Sequence, residues 1–125
     1  MIEDARGTGW FQFVEAPAFA RFRDHYLDDD GFAELQQYLA KNPDAGDMVP
    51  GAGGIRKVRW RDPRRGKGRR GGLRVIYYCF LSEQEIWLLT LYDKDEAADL
   101  TKEEKGQLKR ALEAERAARK ARSRK

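Results

Sequence analysis

The sequence predicts an α+β fold: a small, mainly antiparallel sheet with two N-terminal helices packed on one face and a C-terminal helix. Three observations carry that expectation. An aromatic-rich segment is followed by two stretches with apolar residues at helical spacing; three runs of period-two alternation then follow; and a capping sequence opens a last, strongly charged stretch. At 125 residues the chain is sized for a single domain spanning 1–125. Its apolar content of 41% is ordinary for a folded domain.

Trp10 to Val14 (WFQFV), bounded by Gly9 and Pro17, reads as the first strand. Pro17 suits the first turn of a helix, and Phe19, Phe22 and Tyr26 fall on one side of it. The acids Asp28, Asp29 and Asp30 end that helix and supply a cap for the next. Phe32, Leu35, Tyr38 and Leu39 are the second helix's apolar stripe, and Asn42-Pro43 stops it. Strands are then expected over Ile55–Trp60, Leu73–Leu81 and Glu85–Tyr92, with Ser82, Glu83 and Gln84 as a tight connection. Alternation places Lys57 and Arg59 opposite Val58 and Trp60, and Arg74, Ile76 and Tyr78 opposite Val75, Tyr77 and Cys79. It places Trp87, Leu89 and Leu91 opposite Leu88, Thr90 and Tyr92. One sheet face is thus expected under helices and the other partly polar and cationic. Thr101-x-x-Glu104 matches a capping box for the last helix. From about residue 116 the basic tail ERAARKARSRK offers no apolar face and is expected to be frayed or disordered in isolation.

Charge is distributed unevenly. Between Ile55 and Arg74 there are ten basic residues and one acid, Asp62, a local net charge of +9 in a chain whose total is +4. Such density favours an anionic partner, and a nucleic-acid backbone is the simplest one. A solvated charge run is the duller account, but glycines at 66, 68, 71 and 72 interleave the cations and let backbone amides approach phosphates closely. The GAGG stretch is no P-loop, since no Lys-Ser/Thr follows it and a strand does. There is no metal-ligating spacing and no cofactor signature. The single cysteine, Cys79, is expected to be a small buried hydrophobe in a reducing compartment. With no apolar run near the ~18 residues of a membrane span, and no signal-peptide pattern at the start, a cytoplasmic protein is expected.

One ordered set of residues spans roughly half of the chain. It runs through Asn42-Pro43-x-x-Gly46-Asp47, Pro50-Gly51-x-Gly53-Gly54-Ile55-Arg56-Lys57-Val58-Arg59-Trp60, and Gly66-Lys67-Gly68-x-Arg70-Gly71-Gly72-x-Arg74-Val75-Ile76-Tyr77-Tyr78. It closes with Leu88-Leu89-x-Leu91-Tyr92-x-Lys94-x-Glu96 and Asp99-Leu100-Thr101. In this set the chain resembles the HigB-type branch of the RelE/ParE toxin superfamily. The resemblance implies a RelE-like fold and the toxin of a type II toxin–antitoxin system. It implies a ribosome-dependent mRNA endoribonuclease (a hydrolase of the mRNA interferase kind) that inhibits translation. It also implies a neutralising antitoxin with a helix-turn-helix domain, and the ribosome and mRNA as partners. The sequence departs from the family pattern at Asp95, where Asn is common, and in its longer basic C-terminal extension.

Metal-independent cleavage of RNA needs deprotonation of a 2′-hydroxyl, neutralisation of charge on the phosphorane and protonation of the leaving 5′-oxygen. One histidine, His25, excludes a paired-histidine mechanism by count. The catalytic candidates are Lys57 and Arg59 on the scissile phosphate, Arg74 on the transition-state charge, and Tyr92 stacking on a base or assisting proton transfer. Clustered cations can also turn a lysine into a base. Arg56, Lys67, Arg70 and Lys94 are the RNA-binding candidates. Core packing on Ile76 is the competing account of Tyr92. Two other functions stay open: translation blocked by RNA or ribosome binding without catalysis, and the gyrase poisoning seen elsewhere in the superfamily.

Overall fold

A computed structural model describes residues 2–4, 9–61, 72–96 and 99–123. Pro17 opens α1 (Pro17–Tyr26), where its fixed φ suits the first helical position. The Asp28 carboxylate caps α2 (Asp29–Lys41), accepting from the Gly31 amide at 2.7 Å. Among the described residues, six strands surround these helices in sequence: β1 (Ile2–Asp4), β2 (Gly9–Glu15), β3 (Asp47–Met48), β4 (Arg56–Trp60), β5 (Leu73–Phe80) and β6 (Glu85–Asp93). The last element is α3 (Lys102–Ser123). The strands lie in the order β1-β2-β6-β5-β4-β3, antiparallel except for the parallel pair β2–β6. The α+β class and the three long C-terminal strands thus match the sequence expectation. The short β1 and β3 do not appear in it, because two or three residues leave no period-two signature.

Both faces of the sheet carry an apolar cluster, so the second face, expected to be partly polar and cationic, also holds part of the core. On one face Val58, Val75, Tyr77, Leu88 and Leu91 pack with Phe19 of α1 and with Leu35 and Leu39 of α2. On the other, Ile55, Ile76, Phe80, Leu89 and Tyr92 pack with Leu112 of α3. The alternation expected for β6 is also broken. Ile76 pairs with Thr90 while Tyr77 pairs with Leu88, so Leu89 is an inserted residue. The bulge puts Leu88 and Leu91 in one cluster, and Leu89 and Tyr92, with Trp87 packed against them, in the other.

The capping box at the start of α3 forms in both directions. The Thr101 amide donates to Glu104 Oε1 at 2.8 Å, and the Glu104 amide donates to Thr101 Oγ1 at 3.0 Å. The helix then continues through Ser123, beyond the point near 116 where the sequence expectation has order ending. Guanidinium groups, not an apolar stripe, hold that end down. Arg119 lies 3.8 Å from the Phe80 ring centroid and 5.5 Å from that of Trp87, and it hydrogen-bonds Glu85 and Glu115. Arg116 stacks on Tyr78 at 5.0 Å and donates to its hydroxyl and to the Gly53 carbonyl. Gly53 and Gly54 adopt φ of +71° and +104°, and a Cβ on Gly54 would come within 3.1 Å of the Tyr78 ring. The glycine turn is therefore shaped to let α3 dock.

Candidate nucleic-acid interface

The site grows out of strand register. Arg59 of β4 stands opposite Arg74 of β5, and Arg74 stands opposite Tyr92 of β6. Side chains two apart on one strand share a face, so Lys57 joins the row from the same strand as Arg59. These four residues line one cavity of about 430 Å³ with Lys94, Asp47 and Asp99. It lies on the same sheet face as α3 but has no lining residue from that helix. Arg74 forms its floor at 8% exposure, whereas Arg59 and Lys94 are exposed at the rim.

Asp99 is the residue that joins the parts. Its Oδ2 accepts from Lys57 Nζ at 3.1 Å, and its Oδ1 accepts from the Leu100 amide at 2.9 Å and from the Tyr92 hydroxyl. The Tyr92 hydrogen bond, supplemented by the Leu100 amide and the Lys57 ammonium, outweighs desolvation and holds the Asp99 carboxyl down at about 2. Burial, and then the neighbouring carboxylate, push the Tyr92 phenol well above the ordinary tyrosine range. At neutral pH the Tyr92 hydroxyl therefore keeps its proton and shares it in the hydrogen bond to Asp99. The Tyr92 ring packs in the cluster containing Ile76 while its hydroxyl reaches the cavity.

Of the sequence candidates, Lys57, Arg59, Arg74, Tyr92 and Lys94 are brought together. Arg56 is not. It points to the other face, where it donates to the carbonyls of Gly46 at 2.7 Å and Asp44 at 3.4 Å. Lys67 and Arg70 lie outside the described residues. His25 approaches Glu96 at 3.9 Å and does not line the cavity. Cys79, expected to be buried, is half-buried against the first apolar cluster, and desolvation pushes its thiol up. Among the described residues, no group of His, Cys, Asp and Glu side chains is gathered that could hold a metal. Asp47 and Asp99 carry no role in the sequence reading. Both stand in the ordered residue set, but a carboxylate gives no reason in sequence to expect it inside a cationic cavity.

The loop beneath the site is held by Tyr77. Its hydroxyl accepts from the Gly46 amide and donates to the Pro43 carbonyl, both at 2.9 Å. A Cβ on Gly46 would meet the Lys57 backbone at 2.9 Å, so glycine is what lets β3 lie against β4 and present Asp47 beside Lys57. A second, open cleft of about 700 Å³ lies between α3 and the Pro50-Gly51 turn, lined by Lys102, Lys105, Lys109 and Arg110. A scan of the chain against protein-family models finds no match. Among the described residues no helix is long and apolar enough to cross a membrane.

Proposed function

We propose that the cavity binds and cleaves a ribose–phosphate chain, and that the protein is a RelE-like, HigB-type toxin acting on mRNA in the ribosome. The observation that carries this reading is the convergence of Lys57, Arg59, Arg74 and Lys94 with the Tyr92 hydroxyl around one opening. Four cations against two carboxylates leave the opening positively charged, as a phosphodiester requires.

In the proposed reaction the 2′-oxygen gives its proton to a water molecule and attacks the adjacent phosphorus while the bond to the 5′-oxygen breaks and that oxygen takes up a proton. The products are a 2′,3′-cyclic phosphate and a 5′-hydroxyl. Lys57 and Arg59 would hold the non-bridging oxygens, and the rigid Arg74 guanidinium would meet the charge that builds on the phosphorane. Tyr92, which keeps its proton at neutral pH, would donate it to the departing 5′-oxygen and regain one from solvent. Lys94 at the rim suits a flanking phosphate. The basic cleft along α3 suits further backbone phosphates, such as those of ribosomal RNA. The cognate partner would be an antitoxin, of the helix-turn-helix kind the resemblance implies, that covers or distorts this face.

Induced expression of the chain alone tests the reading. Growth arrest with discrete primer-extension stops in translated messages supports it. Arrest without stops would favour RNA or ribosome binding without catalysis, and chromosomal breaks would favour gyrase poisoning.

A further inference from the structure

The cavity is partly filled by the chain itself. The Asp99 carboxylate takes hydrogen bonds from Lys57 Nζ, the Tyr92 hydroxyl and the Leu100 amide, the kinds of donor that a phosphate oxygen would take. A carboxylate and a phosphodiester each present two oxygens sharing one negative charge, at similar separation. Asp99 also lies outside the regular elements, in the connection between β6 and α3, and its side chain is 61% exposed. A side-chain rotation would therefore vacate the seat without disturbing either apolar cluster.

We propose that Asp99 is a tethered stand-in for a substrate phosphate, which occupies the Lys57–Tyr92 seat in the resting protein and must be displaced before RNA binds. The inference rests on the phosphodiester reading of the cavity and adds a regulatory element to it. Displacement frees the Lys57 ammonium for the incoming phosphate and removes the carboxylate that would repel it. A bound strand gains one charge-assisted contact and relieves one repulsion, whereas the resting protein keeps the Lys57 ammonium paired. The contrasting role is that of a positioning residue, with Asp99 aiming Lys57 and Tyr92 at the substrate. The two roles predict opposite signs on removal of the carboxylate.

The test uses the purified full chain as wild type, Asp99→Asn, Asp99→Ala and a charge-matched control, Asp24→Asn, whose side chain is 87% exposed on α1. The probes are a single-stranded RNA with every ribose 2′-O-methylated, which cannot be cut through its 2′-oxygen, and inorganic pyrophosphate. Both Asp99 variants are expected to bind the RNA about five- to tenfold more tightly than wild type, the scale of one lost ion pair and one lost hydrogen bond to a charged group. The control is expected to stay within about twofold, as for a distant surface charge. Equal or weaker binding by both Asp99 variants, or an equal gain in the control, overturns the proposal. If the Asp99 variants gain affinity for pyrophosphate yet no form cuts ribosome-bound message, the seat stands and the nuclease reading fails. If wild type cuts and the Asp99 variants gain nothing, the nuclease reading stands and the stand-in role is overturned.

Discussion

Arg59 and Arg74 stand directly opposite each other across the β4–β5 pair, two permanent cations on adjacent strands. Like charges in that position repel each other, so the direct interaction between the two guanidinium groups is unfavourable, whatever else each of them touches. Arg59→Gln is expected to raise stability by about 0.2–1 kcal/mol. The same change should weaken RNA binding, because the rim cation is lost. Thermal melting together with RNA-binding measurements checks both signs. A less stable variant that binds RNA normally would show that the pair is structural.

Arg119 is expected to matter more to the fold than any apolar residue in the second half of α3. Its side chain is 17% exposed, stacked on two rings and bonded to two carboxylates. Burial alone would push the Glu85 carboxyl up, but the hydrogen bonds from Arg119 and Trp87 hold it below the usual range. Arg119→Ala is expected to cost about 2 kcal/mol, less than a fully buried pair because water still reaches it. Lysine should recover little, since it cannot stack flat. Arg122→Ala, with 64% of its side chain exposed, should change stability by less than about 0.5 kcal/mol. Chemical denaturation of the three variants measures the series.

Tyr77→Phe is expected to cost about 1–3 kcal/mol, because the Gly46 amide and Pro43 carbonyl each lose a buried partner. The loss should extend to the site, since that loop sets Asp47 beside Lys57. Loop amides should exchange faster with solvent while those of β5 and β6 stay protected, a pattern read by hydrogen exchange.

The Tyr92–Asp99 contact predicts a pH response with a definite sign. The folded phenol is raised above its ordinary value of about 10, so its contribution to stability is complete below about pH 10 and is lost as pH rises through the folded value. Asp99 is depressed to about 2, so its contribution is present above the ordinary value of about 3.9 and is lost as pH falls through about 2. The ultraviolet difference between wild type and Tyr92→Phe isolates the Tyr92 titration. Asp99→Asn should shift that titration to lower pH, and an unmoved titration would mean that the contact is absent in solution.

The helices and the long strands were readable because Pro17, Asp28, Asn42 and the Thr101–Glu104 box act locally. The Lys57–Arg59–Arg74 row was readable because alternation along β4 and β5 needs no tertiary information before the bulge. Three things were not readable. An inserted residue such as Leu89 shows only once its partner strand is known. Docking by Arg116 and Arg119 resembles surface charge in sequence, because the aromatic rings beneath them come from distant strands. Asp99 is drawn to the cavity by cations remote from it in sequence, so nothing local marks it.

Cut-site mapping by primer extension on ribosome-bound message, with purified wild type and Lys57→Ala/Arg59→Ala/Arg74→Ala, tests the central claim most directly. A control gel-filtration and melting profile would show that the triple variant is folded. Discrete stops with wild type that vanish in the folded triple variant are the predicted result. The same stops at the same rate in both proteins, or none with wild type, would contradict it.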